Sequence, residues 1–320
     1  KFSSTIKTMN TIELDNITFN SNFDSGNMAS VEKNSYNKRT KTYEFTIHTQ
    51  NDCEGTEYKN RNRSWWYFSV KGVQPGTSIK FNILNMNCQK KLFSFGMKPV
   101  MKTGKFGTWE RVKLDVNYDS NPNDREYFKV SFKHQFMENK KETYFAMCYP
   151  FSYKDTKKMI QAIKTKLEST TSNKRHSSRR KKIYFHHECL AKSVEDRDID
   201  ILTISSTTGI SEQVEEGVEG CYPEEGSNRA ALFPGKPMYF LSARVHPGET
   251  PGTYIFNGFL KFILNEDDPR AALLRKHFVF KLVPILNPDG VYHGHYRTDR
   301  YGQNLNRFYT TCTPEKQPSI

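Results

Sequence analysis

His246-Pro247-Gly248-Glu249 is the stretch whose residue types and spacing bear most directly on chemistry. It ends an apolar run, Met238 to Val245, and opens an amphipathic one, Tyr254 to Leu264. Where a buried strand gives way to a helix, an imidazole and a carboxylate three residues apart can converge on one metal ion, because the turn aims both side chains the same way. Alone, His-x-x-Glu is a weak signal, since a surface ion pair or a charged helix start has the same pattern. Its weight comes from its company. Asn287-Pro288-Asp289-Gly290 closes a later apolar run with a turn, and Arg297 and Asn304-Leu305-Asn306-Arg307 follow it.

The elements that must position these residues change character at Pro150. Before it, Tyr43, Phe45 and Ile47 alternate with Glu44, Thr46 and His48, the period of a half-buried strand. An early strand is expected around Ile17 to Phe23. Trp65 to Val70 is an aromatic and β-branched run, and after Gln74-Pro75-Gly76-Thr77, a type II turn sequence, Ile79, Phe81 and Ile83 alternate again. These two are expected to be neighbouring antiparallel strands. Trp109 to Val116, Tyr127 to Phe132 and Tyr144 to Cys148 add three more, which predicts an antiparallel β-sandwich with no helix before residue 150. The aromatic density is read as core rather than as a stacking platform for nucleic acid.

After Pro150, Met159, Ile160, Ile163 and Leu167 recur at helical spacing within Asp155 to Leu167. Asp200 to Ser205, Met238 to Val245 and Phe278 to Leu286 read as buried strands, and Thr253 to Leu264 as a helix. Asp268-Pro269 caps another helix that runs to about His277. Thr207 to Gly235 reads as a polar, acidic loop. Strands alternating with helices predict an α/β sheet, whose ligands sit at the carboxyl ends of strands, where His246 lies. The fold class is therefore α+β in two domains, with boundaries at 1–150 and 151–320.

Composition narrows the partners. The formal charge of +13, from 48 basic against 35 acidic residues, favours an acidic polypeptide, nucleic acid or an anionic membrane. The basic run Asn173 to Lys182 is read as a solvated linker, so nucleic acid is not favoured. Six scattered cysteines without a C-x-x-C pair predict neither a disulfide framework nor a cysteine zinc site. No apolar run reaches the length of a membrane span, so no membrane partner is expected.

With these stretches in view, the sequence resembles the zinc carboxypeptidases of the M14 type, and its longer matches resemble the cytosolic carboxypeptidases that remove glutamate from tubulin. The matching segments are Phe23 to Asn27, Asn62 to Trp65, Arg244 to Pro251, Phe256 to Phe259 and Leu286 to Arg307. Ser64 to Phe68 and Asp267 to Arg270 also fit the branch-point deglutamylases of that family. The resemblance implies an N-terminal β-sandwich followed by an incomplete α/β zinc-carboxypeptidase domain with a mixed sheet.

It implies Zn2+ as cofactor, with His246 and Glu249 as ligands on a bend made by Gly248. Arg297 would polarise the scissile carbonyl, and Asn306 and Arg307 would bind the substrate's terminal carboxylate. His293-Gly294-His295 carries two metal-capable side chains but is read as part of the loop leading to Arg297. Lys261 and Arg300 are read as surface residues. The implied partners are tubulin and other polyglutamylated acidic tails, met by a monomer in the cytoplasm, with the cytoskeleton and nucleus as further locations.

One feature departs from the family. Its third zinc ligand, a histidine, and its general-base glutamate follow the Asn-Arg motif at a distance, and nothing between Arg307 and Ile320 matches either. A chain lacking both is expected to be inactive or nearly so. The alternative reading is a non-catalytic relative that binds acidic tails through the same arginines.

Overall fold

The computed structural model describes residues 10–121, 123–138, 141–172, 183–223, 229–313 and 315–320. The run Asn173 to Lys182 lies outside the described residues. The chain divides into two compact units, Lys1–Pro150 with Gly290–Gln303, and Phe151–Asp289 with Asn304–Ile320.

In the first unit the chain runs β1 (Thr11–Leu14), β2 (Ile17–Asn20), β3 (Ser30–Asn37), β4 (Thr42–His48), β5 (Tyr67–Lys71) and β6 (Ser78–Leu84). It continues through α1 (Lys90–Ser94), β7 (Val100–Thr103), β8 (Glu110–Arg111), β9 (Val116–Asn121), β10 (Asp124–Gln135) and β11 (Thr143–Ala146). Two sheets form, in the orders β1-β2-β5-β11-β7-β8 and β3-β4-β6-β10-β9. The alternating residues of both meet in one core, where Phe81 of one sheet lies 5.8 Å from Phe68 and 4.8 Å from Phe145 of the other. Burying a side chain of this size contributes roughly 1.5–3 kcal/mol, so the aromatic density of the sequence is spent on this core.

Two expectations are corrected here. β5 and β6 are not neighbours: they lie in different sheets, and β6 pairs with β4 in parallel. The turn between them has its expected form, with Gly76 at φ 78 and the Thr77 N–H donating to the Gln74 carbonyl at 3.1 Å. Turn chemistry sets a reversal, but strands of both sheets alternate alike, so periodicity cannot distinguish pairing from crossing the core. A helix also precedes residue 150, the five-residue α1, which places Phe93 5.9 Å from Phe128.

The second unit holds α2 (Tyr153–Ser172), β12 (Ile183–Lys192), β13 (Asp198–Ser206), β14 (Met238–Ser242), α3 (Thr250–Ile263), α4 (Pro269–His277) and β15 (Val279–Val283). Its sheet order is β12-β13-β15-β14, with β14 parallel to β15 and the other pairs antiparallel. Ile160 of α2 and Phe256, Leu260 and Ile263 of α3 pack with Leu202, Ile204, Phe280 and Leu282 of the sheet. Lys157 fastens α2 to the β12–β13 hairpin through Asp198 (2.9 Å) and Asp200 (2.7 Å). Asp268 caps α4 as expected, accepting the Arg270 N–H at 2.9 Å. Lys281, buried in β15, pairs with Glu215 and so ties the long acidic loop to the sheet.

Two strands differ from expectation. β12 was not legible, because His186, His187 and Glu188 interrupt its apolar pattern. Among the described residues β14 stands at the edge of its sheet, with Met238, Tyr239 and Phe240 61%, 55% and 56% exposed rather than buried. A continuous apolar run does not reveal how many neighbours a strand has. Among the described residues, no helix is long and apolar enough to cross a membrane.

Candidate metal and carboxylate site

The site begins where the β14–β15 ladder ends. Beyond the strands the two chains stay paired, since the Ala243 N–H donates to the Val283 carbonyl (3.0 Å) and the Asn287 N–H to the Arg244 carbonyl (3.2 Å). Arg244 adopts φ 59, which redirects the chain, whereas Gly248 has no such backbone conformation. The bend is therefore made by an arginine, at a cost of about 1–3 kcal/mol. Its buried guanidinium holds the turn in place, donating to the Pro247 carbonyl (2.9 Å), the Phe151 carbonyl (2.8 Å) and the Thr253 hydroxyl (3.1 Å).

On this turn His246 is buried and Glu249 exposed, at the start of α3. The His246 Nδ1 lies 2.9 Å from Glu249 Oε1, so the two sequence-predicted residues do converge. The ring's other nitrogen, Nε2, lies 2.8 Å from Asn304 Oδ1. That oxygen also accepts the Asn306 N–H (3.2 Å), which fixes the amide's orientation. Nε2 must then donate, which leaves the lone pair of a neutral ring on Nδ1, facing a carboxylate oxygen. Two such acceptors approach only when a cation lies between them, either a proton or a metal ion.

This donor set fits zinc in kind, with one imidazole nitrogen, one carboxylate oxygen and an outer hydrogen bond that orients the ring. Among the described residues, no group of three or more His, Cys, Asp or Glu could hold a metal ion, and a pair is one donor short of the three protein donors usual for a catalytic zinc.

Asn304 caps the three-residue 3-10 turn Leu305–Arg307, whose buried Leu305 anchors it. Asn306 and Arg307 are exposed, and Arg307 Nη1 donates to its neighbour's carbonyl at 3.0 Å. Upstream, Asn287-Pro288-Asp289-Gly290 is structural, as the sequence suggests, although it enters a short helix, α5 (Pro288–His293), rather than a simple turn. The Asp289 carboxylate accepts from Arg197 Nη1 (2.6 Å), the Ser193 hydroxyl (2.7 Å) and the Glu195 N–H (3.1 Å), pinning the β12–β13 hairpin loop.

Arg297 belongs to the first unit, on the segment Gly290–Gln303 that leaves the second unit at Asp289 and returns at Asn304. Its backbone N–H is held by Asp52 at 2.8 Å. His295 has both ring nitrogens within the same loop network, Nδ1 at 3.1 Å from the Thr298 carbonyl and Nε2 accepting the Cys53 N–H at 3.2 Å. Its expected loop role accounts for both. Three participants carried no role in the sequence reading: Arg244, Asn304 and Asp52. The first two stand inside the motifs that hold His246 and Arg307, so their place there was the available signal. Asp52 gave none.

Two family models match the chain: the cytosolic carboxypeptidase N-terminal domain over residues 19–148 and the zinc carboxypeptidase model over 175–315. Cytosolic carboxypeptidase-like protein 5 of Homo sapiens is 44% identical over 322 residues, covering 94% of this chain and 36% of that protein. Its Danio rerio counterpart is 43% identical, covering 97% of this chain and 36% of that protein. Cytosolic carboxypeptidase 6 of Mus musculus is 31% identical, covering 95% and 48%. A metallo-carboxypeptidase from Burkholderia cenocepacia has a TM-score of 0.61 at 20% identity, over 95% of this chain and 64% of that one. One from Pseudomonas aeruginosa, in complex with (2-guanidinoethylmercapto)succinic acid, has a TM-score of 0.62 at 20% identity, over 94% and 64%. At that identity the likeness shows the fold alone. With both family models matched and relatives at 43–44% identity across nearly all of its length, the chain belongs to the M14 zinc carboxypeptidases, in their cytosolic carboxypeptidase branch.

Proposed function

We propose that this chain carries the substrate-gripping part and two metal donors of a zinc carboxypeptidase that removes glutamate, at branch points or chain ends, from tubulin and other acidic protein tails in the cytoplasm. It spans 36–38% of the relatives named cytosolic carboxypeptidase-like protein 5, so turnover is proposed for the whole protein. The observation that carries the reading is the convergence of His246 Nδ1 and Glu249 Oε1, 2.9 Å apart, on a ring held from behind by Asn304.

In this reading His246 and Glu249 hold the metal, and Asn304 keeps the imidazole turned toward it. Zinc, when bound, supplies a water of lowered pKa and neutralises charge on the carbonyl oxygen. Arg307 offers a guanidinium fork to the terminal carboxylate of the tail, with Asn306 as a further donor beside it. Arg297 donates to the scissile carbonyl oxygen as negative charge develops there. The net charge of +13 raises the local concentration of acidic tails.

A second reading follows from the donor count: with no group of three donors among the described residues, this chain by itself binds acidic tails without turning them over. The test is mass spectrometry of glutamylated tubulin after incubation with the whole protein and, separately, with this chain. Glutamate release by the whole protein and retention without release by the chain is expected. Release of other residues in preference to glutamate by the whole protein would overturn the substrate assignment. Catalytic release by this chain would overturn the second reading.

A further inference from the structure

Asp52 lies in the β-sandwich sequence, between β4 and β5, and is fully buried. Its carboxylate accepts four hydrogen bonds from three consecutive residues. The Tyr296 N–H donates at 2.6 Å, the Arg297 N–H at 2.8 Å, the Thr298 N–H at 2.8 Å and the Thr298 hydroxyl at 3.1 Å. Successive backbone N–H groups wrapped around one anion form a rigid cradle, here closed on the residue that bears the guanidinium. The neighbours of Asp52 brace the same loop. The Cys53 N–H donates to His295 Nε2, the Cys53 thiol to the Asp299 carbonyl (3.2 Å), and Asn60 Nδ2 to the Thr298 hydroxyl oxygen (3.1 Å).

A loop that needed only to be anchored already has other ties. The Ser25 N–H donates to the Tyr292 carbonyl (3.0 Å), and Asn27 Nδ2 to the Gly294 carbonyl (2.8 Å). Asp52 differs in that its bonds fall on Arg297 itself and on both flanking residues, fixing the backbone from which that side chain projects. We propose that Asp52 is a positioning residue for Arg297, holding the backbone from which the guanidinium projects. This rests on the reading of Arg297 as the group that donates to the scissile carbonyl oxygen of a bound tail.

Asp52→Asn keeps the shape but leaves one acceptor oxygen. Its amide would face either the Arg297 and Thr298 donors or the Tyr296 donor, so at least one buried N–H loses its partner. The probe is a synthetic peptide ending in four glutamates, titrated calorimetrically into the chain at a temperature where melting curves show every variant folded. Arg297→Ala is expected to weaken binding by roughly tenfold or more, and Asp52→Asn by a similar factor. The double variant should then bind no worse than Arg297→Ala alone, because Asp52 acts through that side chain. Hydrogen exchange at Tyr296, Arg297 and Thr298 should quicken in Asp52→Asn.

An Asp52→Asn protein that binds like wild type while Arg297→Ala is weakened overturns the positioning role alone, as does a double variant whose losses add. An Arg297→Ala protein with undiminished affinity overturns the reading of Arg297, and the positioning role with it. Absence of binding by the unmodified chain overturns the proposed grip on acidic tails. If Asp52→Asn does not fold, Thr298→Val, which removes one of the four donors, carries the same cycle with an expected loss of roughly threefold. Unchanged affinity there overturns the proposal.

Discussion

Replacing Asn304 with alanine removes the partner of the His246 ring without touching either proposed metal donor. In the wild-type protein the Nε2–H bond to Asn304 Oδ1 is 2.8 Å long and the ring is buried, so few other orientations are open to it. Outer partners of this kind typically govern about 10–100-fold in metal affinity, or about 1.4–2.7 kcal/mol. A second effect must be separated. The same oxygen accepts the Asn306 N–H at 3.2 Å and caps the 3-10 turn, and loss of a cap costs about 0.5–2 kcal/mol of folding stability. Thermal melts of metal-free protein read that cost, and competitive zinc titration against a chromogenic chelator reads the affinity. Asn304→Ala should bind zinc at least tenfold more weakly than wild type, and Asn304→Asp, which keeps an acceptor, should restore binding. If Asn304→Ala stayed within twofold of wild type while His246→Ala lost binding, the inference that Asn304 orients the ring would fail.

Asp289→Ala should destabilise the second unit by about 1–3 kcal/mol, because it removes the shared acceptor of the Ser193 hydroxyl, the Glu195 N–H and Arg197 Nη1, although Arg197 keeps its pair with Glu195 at 2.6 Å. Urea denaturation measures this, and a loss below about 1 kcal/mol would contradict it. His134 sits edge-on against Phe136 (4.8 Å) and Phe145 (5.4 Å), and burial pushes its pKa down to about 4. The fold therefore favours the neutral ring. Its contribution is complete above the unfolded value near 6.5 and falls by about 1.4 kcal/mol per pH unit as pH drops from there toward 4. His134→Phe should flatten the sandwich's stability profile over that window, and an unchanged slope would refute the assignment.

The His246 turn was legible, and the Asn304 to Arg307 motif stood out, because their signals are local. A strand end, a helix start and a short polar motif occupy a few residues each, and the α2 and α3 helices showed their apolar faces at 3.6-residue spacing. Six strands of the sandwich, β2, β4, β5, β6, β10 and β11, were legible one by one, whereas β1, β3, β7 and β9 were not, and the run Trp109 to Val116 holds only the two-residue β8 and the first residue of β9. The pairing was not legible at all. β4 beside β6 in parallel, with β5 in the other sheet, joins segments whose patterns are alike, and no local property chooses among them. β12 was hidden for the opposite reason. His187 bonds Asp200 at 2.6 Å and Glu188 bonds Arg229, so two of its polar residues have partners that the sequence does not indicate.

Arg297 brings these two cases together. In sequence it stands between Asp289 and Asn304 and looks like part of one continuous motif, yet residues 290–303 fold with the sandwich. What decides this is a carboxylate 244 positions before Tyr296, in a stretch with no motif. The physical cause is the need of three consecutive N–H groups for acceptors once the loop leaves regular structure. A strand or helix would have supplied those acceptors from nearby backbone. Here Asp52 supplies them, and its own burial is tolerable only because the loop returns four hydrogen bonds to it. Each side makes the other possible, so a substitution at Asp52 should be felt first at residues 296–298 rather than in the strands around it.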